Sequence, residues 1–458
     1  MTSSSLRSLS QRCGGAALSA LALTFLAQPA SAWSSSCESA ERYTLRNGVE
    51  VVLVPETGLP TVAVVSSVHT GFRDDPPGHE GLAHYVEHLT FAGDSNIAPI
   101  MDLYEEIGAT GLNATTSADT TDYYALVPAS QLERAIWIEA RRLALGVDVP
   151  SDERALAERR VLLREHASRY GYVPAYSLMR ATYAEIYPAG HPYHSPFASA
   201  ASIGQLTLND ARWFFAQHYR PDQTRLILVG DFASESAKAL IDQYFGEIAG
   251  RAAPSTAAAD DDAGSCRGRP PRSYVARNRI VQHTRSRNER LELIWPVVAG
   301  ENTEQLRGAF NTLSGELSQA LRQTGLSHSV NAELVEHELG SFWDLRIEVA
   351  PGQPFDKVEP LVARVLQSTQ AQVENEQGLL AKRQAFELSD RLAREGLLER
   401  ALGLARRTCS EQSCVDPSKP GALAGAQQAG RFSLGVALVV ERRYSIGASA
   451  EGDLEVVR

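Results

Sequence analysis

The spacing of hydrophobic positions changes several times along the chain, and each change marks an element. Val49-Glu-Val-Val-Leu-Val54 is a β-branched run just after Asn47-Gly48, a turn signal, so a strand entered from a hairpin is predicted. Val62 to Val68 predicts a second strand. A helical period follows from about Gly78 to Phe91, and Asn113 to Val127, rich in Thr and Tyr, reads as strands again. Helical spacing then covers Ala129 to Leu145 and Ser151 to about Tyr170, where Ser151 stands as N-cap before the acidic Asp152-Glu153. Leu208 to Tyr219 predicts a helix, Thr224 to Gly230 a buried strand, and Ser234 to Ile248 a closing helix with Ser234 at its cap.

Between Arg251 and Arg272 the pattern stops. Ala-Ala-Pro-Ser-Thr, the run Asp260-Asp261-Asp262 and Gly-Arg-Pro-Pro cannot bury apolar area and read as a linker. Beyond it the order begins again. Arg279 to His283 and Arg290 to Val298 predict strands, Glu304 to Arg322 a helix, and Ser329 to Val349 further strands. Long helical patterns cover Val358 to Val373 and Gln377 to Arg406. The chain therefore reads as a duplicated unit: one half over 40–250, a linker over 251–275, and a second half over 276–458.

Composition narrows the class. A chain of 458 residues exceeds one ordinary core. The formal charge of −11 argues against a nucleic-acid partner and provides no basic face for anionic lipid. Arg7 and Arg12, the apolar run Ala16 to Ala27 and the small residues Ala30-Ser31-Ala32 read as a secretory signal over 1–32. The expectation is a secreted or periplasmic protein whose mature chain has no membrane span. Cys37, Cys266, Cys409 and Cys414 would then remain in a disulfide-permissive compartment, with their pairing left open by the sequence.

The residues that carry chemistry lie in the first predicted helix, in Gly81-Leu-Ala-His84-Tyr-Val-Glu87-His88-Leu-Thr-Phe91. His84 and His88 sit one turn apart on one face, a spacing at which two imidazoles grip one Zn²⁺. Glu87 lies three residues after His84 and can act as a base toward water at the metal, the arrangement of an inverted zinc-peptidase motif. A catalytic zinc needs a third protein ligand. Glu165 is the candidate, with Glu158 two turns earlier as a group that orients a ligand. His166 competes as ligand, and a solvated face on which both glutamates pair with Arg159, Arg160 or Arg164 is the plain alternative.

At these residues the chain resembles the M16 metallopeptidases, the pitrilysin and insulysin family, in the branch of mitochondrial processing peptidase and short bacterial peptidases. His84, Glu87 and His88 match its His-x-x-Glu-His motif, Glu165 its distal zinc glutamate and Glu158 its upstream partner. Gly111-Leu112-Asn113-Ala114-Thr115-Thr116 is similar to the family's edge strand, though one residue tighter before the Asn, and His191-Pro192-Tyr193 and Val229-Gly230-Asp231 also fit. The resemblance implies an α+β fold of two similar halves. It also implies that Asn113 and Ala114 take an extended peptide by strand addition. In the second half the family has an Arg and a Tyr that touch substrate. Here Arg322 is present, the segment is one residue short, and His328 stands where Tyr is expected.

The resulting expectation is a zinc endopeptidase for short or unfolded peptides, with Glu87 as base. The departure at His328 suggests the zinc-bearing member of a pair, either with a paralogous M16 subunit or with a second copy. The alternative is a non-catalytic M16-like scaffolding or peptide-binding subunit. A serine hydrolase is disfavoured, because the chain has no Gly-x-Ser-x-Gly turn.

Overall fold

The computed structural model describes residues 40–93, 98–148, 150–170, 179–180, 182–184, 186–187, 189–194, 197–250, 279–284, 290–296, 303–353, 357–373, 396–406, 437–443 and 454–457. They all belong to the unit Ala40–Arg458. The signal segment, the four cysteines beyond it and the linker of 251–275 lie outside the described residues.

Two six-stranded sheets organise the unit. In the first, β1 (Glu41–Thr44), β2 (Glu50–Pro55), β3 (Thr61–Val68), β4 (Thr110–Thr116), β5 (Thr121–Pro128) and β6 (Thr224–Gly230) run in the order β1-β2-β6-β3-β5-β4. In the second, β7 (Arg279–Thr284), β8 (Arg290–Pro296), β9 (Ser327–Val335), β10 (Phe342–Val349), β11 (Ala437–Arg443) and β12 (Leu454–Val457) run β12-β7-β11-β8-β10-β9. The pairings repeat. β2 is parallel to β6 as β7 is to β11, and the β6-β3-β5-β4 series is antiparallel like β11-β8-β10-β9. Two similar α+β halves are therefore present. They differ at one outer edge, where β1 is the hairpin partner of β2 but β12 is added from the end of the chain.

The continuous apolar runs in the first sheet follow from burial on both faces. Val51, Leu53, Val62, Val64, Leu226 and Leu228 point into a core with the helices α1 (Leu82–Phe91), α2 (Ile100–Glu106), α3 (Leu132–Leu145), α4 (Asp152–Tyr170), α5 (Ala200–Gln205), α6 (Leu208–His218) and α7 (Ser234–Phe245). Their neighbours Val52, Val54, Ala63, Val65, Ile227 and Val229 face the other way, onto Ala401, Leu404 and Ala405. In the second half, α8 (Thr303–Gln323) and α9 (Val358–Val373) pack on β8 and β10. The residues against the first sheet's far face come from α10 (Leu397–Arg406), so a helix of the second half covers the first sheet. Of the long helix predicted from Gln377 to Arg406, only this last part lies among the described residues.

One boundary differs for a local reason. The helical period was expected from Gly78, but α1 starts at Leu82. Gly81 takes φ 99° at the N-cap, a left-handed conformation that suits glycine. The Asp75 carboxylate accepts the Gly81 amide at 2.6 Å and the Ala83 amide at 2.7 Å, so an acidic group satisfies two orphan donors of the first turn.

The seat of α10 is open to test. Leu404 is 5% exposed, and Leu404→Ala is expected to lower the unfolding free energy by about 2–4 kcal/mol. A urea midpoint equal to that of the parent protein would contradict this packing.

Candidate metal centre

Helix α1 buries Leu82, Ala83, Tyr85, Val86, Glu87, Leu89 and Thr90, and leaves His84 and His88 on its part-open face. The two rings stand edge to face with centroids 4.9 Å apart. The Tyr85 hydroxyl donates to the Ala155 carbonyl at 2.7 Å, which ties α1 to the start of α4. That contact presents the α4 glutamates to the imidazoles. Glu165 Oε2 lies 3.8 Å from His84 Nε2, and its Oε1 lies 3.7 Å from His88 Nε2. Glu158 Oε2 lies 3.6 Å from His88 Nδ1, and Glu158 Oε1 is 2.9 Å from Arg154 Nη2. One helical turn separates Arg154 from Glu158, so the glutamate is held from its own helix.

Glu87 is 7% exposed, and its Oε2 accepts the Thr116 hydroxyl at 2.6 Å. Ligand atoms of His84, Glu87 and His88 all lie within 4.8 Å of one another. Two carboxylates thus compete as third donor to a metal. Glu165 spans both Nε2 atoms with separate oxygens, whereas Glu87 is drawn toward β4 by Thr116. Donors of a tetrahedral zinc site stand about 3.3–3.5 Å apart, given bonds of 2.0–2.2 Å. The spacings to Glu165 come close to that figure. The donor set of two imidazoles and a carboxylate, with two more carboxylates beside it, fits a divalent cation in chemistry as well.

Burial alone would push the His88 pKa down, yet Glu158, Glu87 and Glu165 together raise it above the ordinary histidine value. The His166 Nε2 lies 3.1 Å from the Ala198 carbonyl, so that nitrogen carries a proton for the oxygen. Arg159 donates to the Leu206 carbonyl at 2.5 Å, and Glu158 pairs with Arg154 and His88, not with Arg159, Arg160 or Arg164.

The centre opens on a cavity of about 650 Å³ lined by His84, Glu87, His88, Glu158 and Glu165, and by Asn113 to Thr116 of β4. β4 is the outer strand of its sheet, with β5 its ladder partner, and a register irregularity sits between Thr110 and Asn113. Asn113 Oδ1 accepts the Ala114 amide at 2.9 Å. Among the described residues that line the cavity Arg322 does not appear, and the His328 side chain lies outside what the structure describes. Arg322 lies in the last turn of α8, where its Nη1 donates to Ser318 Oγ at 2.6 Å. The second half instead contributes His337, from the loop between β9 and β10. Thr116 and Arg154 were not singled out from the sequence as holders of Glu87 and Glu158. The i, i+4 spacing of Arg154 and Glu158 was a usable signal, whereas the reach of Thr116 to Glu87 depends on the packing of β4 over α1.

Residues 50–140 match the profile of the insulinase domain of peptidase family M16, and residues 205–384 that of the peptidase M16 inactive domain. The chain is similar to zinc protease PqqE of Helicobacter pylori, 26% identical over 345 residues, which is 71% of this chain and 73% of that protein. It is also similar to the probable mitochondrial-processing peptidase subunit beta of Schizosaccharomyces pombe, 28% identical over 212 residues, 45% of each chain. Among solved structures, a protease from Helicobacter pylori has a TM-score of 0.74 at 21% identity, covering 88% of this chain and 99% of that one. The periplasmic protease PqqL from Escherichia coli has a TM-score of 0.58 at 18% identity, covering 88% of this chain and 48% of that one. These likenesses show a shared fold.

Glu158→Gln is expected to weaken zinc affinity about 10- to 100-fold with little change in the thermal midpoint. Competition titration with a chelating dye measures it, and unchanged affinity would remove Glu158 from the centre.

Proposed function

We infer that this chain, which belongs to peptidase family M16, is a zinc-dependent endopeptidase acting on short or unfolded peptides. The observation that carries the reading is the convergence of His84, His88 and Glu165 beside a buried Glu87, all opening on one cleft. His84 Nε2, His88 Nε2 and a Glu165 oxygen would hold the ion. Lewis acidity toward the scissile carbonyl and toward water is the chemistry zinc supplies there.

The chain's own groups do the rest. Glu158 beside His88 Nδ1 keeps the proton on that nitrogen and leaves Nε2 for the metal. Glu87 takes a proton from the attacking water as its oxygen adds to the carbonyl carbon. It then passes that proton to the nitrogen as the C–N bond breaks and the amine leaves. Thr116 keeps the Glu87 carboxylate turned toward β4 through a hydrogen bond to a charged acceptor. A peptide added along the outer edge of β4, at Asn113 and Ala114, would lie beside that base.

Export to the periplasm is part of the proposal, supported by the signal-like 1–32 and by a fold neighbour named a periplasmic protease. No helix among the described residues is long and apolar enough to cross a membrane. Because Arg322 is not among the cavity-lining residues and donates to Ser318 on its own helix, we propose that an arginine contact to substrate comes from a second M16 chain, a paralogue or another copy. Turnover per zinc then rises on mixing with that chain or with rising protein concentration. Turnover independent of both would contradict pairing.

Glu87→Gln should retain one equivalent of zinc by elemental analysis while peptide cleavage falls by at least about 100-fold. Cleavage within tenfold of the parent would take the base role from Glu87. A protein that binds no zinc would favour the non-catalytic reading.

A further inference from the structure

A second set of polar groups lines the cleft and joins the two halves. His337 and Tyr183 both face the cavity that holds His84, Glu87 and His88, and His337 is the one residue of the second half among the described residues that do so. The Tyr183 hydroxyl lies 2.7 Å from His337 Nε2, and His337 Nδ1 faces Asp119 Oδ2 at 3.6 Å. Asp119 lies in the turn between β4 and β5 and is itself fixed. Arg73 donates to it at 2.6 Å, the Tyr193 hydroxyl donates to it, and the Glu338 amide donates at 3.2 Å. Glu338 in turn accepts from Arg73 Nη1 at 2.5 Å. The Tyr183 ring stands edge-on to Phe197 and Phe342, with centroids 4.8 and 5.4 Å away.

The proton directions follow from this order. An ionised Asp119 has no proton to give, so His337 Nδ1 carries one toward it. With a single imidazole proton, Nε2 is then an acceptor, and the Tyr183 O–H donates to it. The Tyr183 oxygen then keeps acceptor capacity, on a residue that lines the cleft. Burial pushes the Tyr183 pKa up, so the hydroxyl keeps its proton.

We propose that Tyr183 is a further substrate-contacting residue, its oxygen accepting a backbone N–H of the peptide, and that His337 and Asp119 are its positioning residues. The proposal rests on the cleft being a peptide site, as in the peptidase reading above. It gives the second half a part in substrate binding within a single chain, through His337.

The test uses zinc-loaded full-length protein in a Glu87→Gln background and a fluorescein-labelled unstructured peptide followed by anisotropy. Tyr183→Phe keeps the ring packing and should weaken binding about tenfold, the worth of one hydrogen bond. His337→Ala should weaken it similarly, and the double variant no more than either alone, because both remove one contact. In the cleaving enzyme, Tyr183→Phe should raise KM about tenfold with kcat within about twofold. Unchanged affinity in Tyr183→Phe, or losses that multiply in the double variant, would overturn the proposal. If the parent cleaves peptide while Tyr183→Phe is unaltered, this assignment falls and the peptidase reading stands. If affinity falls as described but the parent never cleaves, the peptidase reading falls and the site stands.

Discussion

Three carboxylates and two imidazoles share one part-buried cleft, a concentration of acidic groups and ligand nitrogens suited to a cation. Glu87 and Glu158 are largely shielded from water, and Glu165 spans the two histidines. Placing several acids so close is costly unless something positive joins them. Arg154 answers one side of Glu158. Glu158, Glu87 and Glu165 raise the His88 pKa against the effect of burial. A divalent ion between the Nε2 atoms would satisfy those carboxylates with far greater charge density than a proton.

The rest of the first half holds these groups in place. Asp75 and Gly81 set where α1 begins, and so where His84 and His88 point. Tyr85 fastens α1 to α4, and β4 brings Thr116 onto Glu87. The sheet that carries β4 is packed on both faces, by its own helices and by α10 from the second half. The second half also reaches the cleft mouth through the loop around His337 and Glu338, seated on Arg73 and Asp119. Gly71 allows that seat to form. A Cβ there would lie 2.3 Å from the Ser117 carbonyl, at the turn that carries Asp119.

Much of this was legible in the sequence because it depends on local spacing. The i, i+4 histidines, the two-turn separation of Glu158 and Glu165, and the alternation of strands and helices all have short-range signatures. The duplication showed as a repeated order of elements, and the structure repeats even the strand pairings. What remained hidden depends on contacts distant in sequence. Continuous apolar runs such as Leu226 to Val229 announce a strand buried on both faces, but not that Ala401 and Leu404 do the covering. Arg322 and His328 were chosen by their place in a motif-like segment, and the contact of Arg322 with Ser318 in the last turn of its helix has no signature in that motif. His337 had no motif around it, and only the β9–β10 pairing brings its loop to the first half.

The central claim concerns which atoms hold the metal, and a crystal structure of the zinc-loaded protein with anomalous scattering at the zinc edge reads it directly. The account predicts one ion with His84 Nε2, His88 Nε2 and a Glu165 oxygen at about 2.0–2.2 Å, and with Glu87 outside the ligand set. An ion bound by Glu87 or His166 in place of Glu165, or no ion between the two histidines, would contradict it.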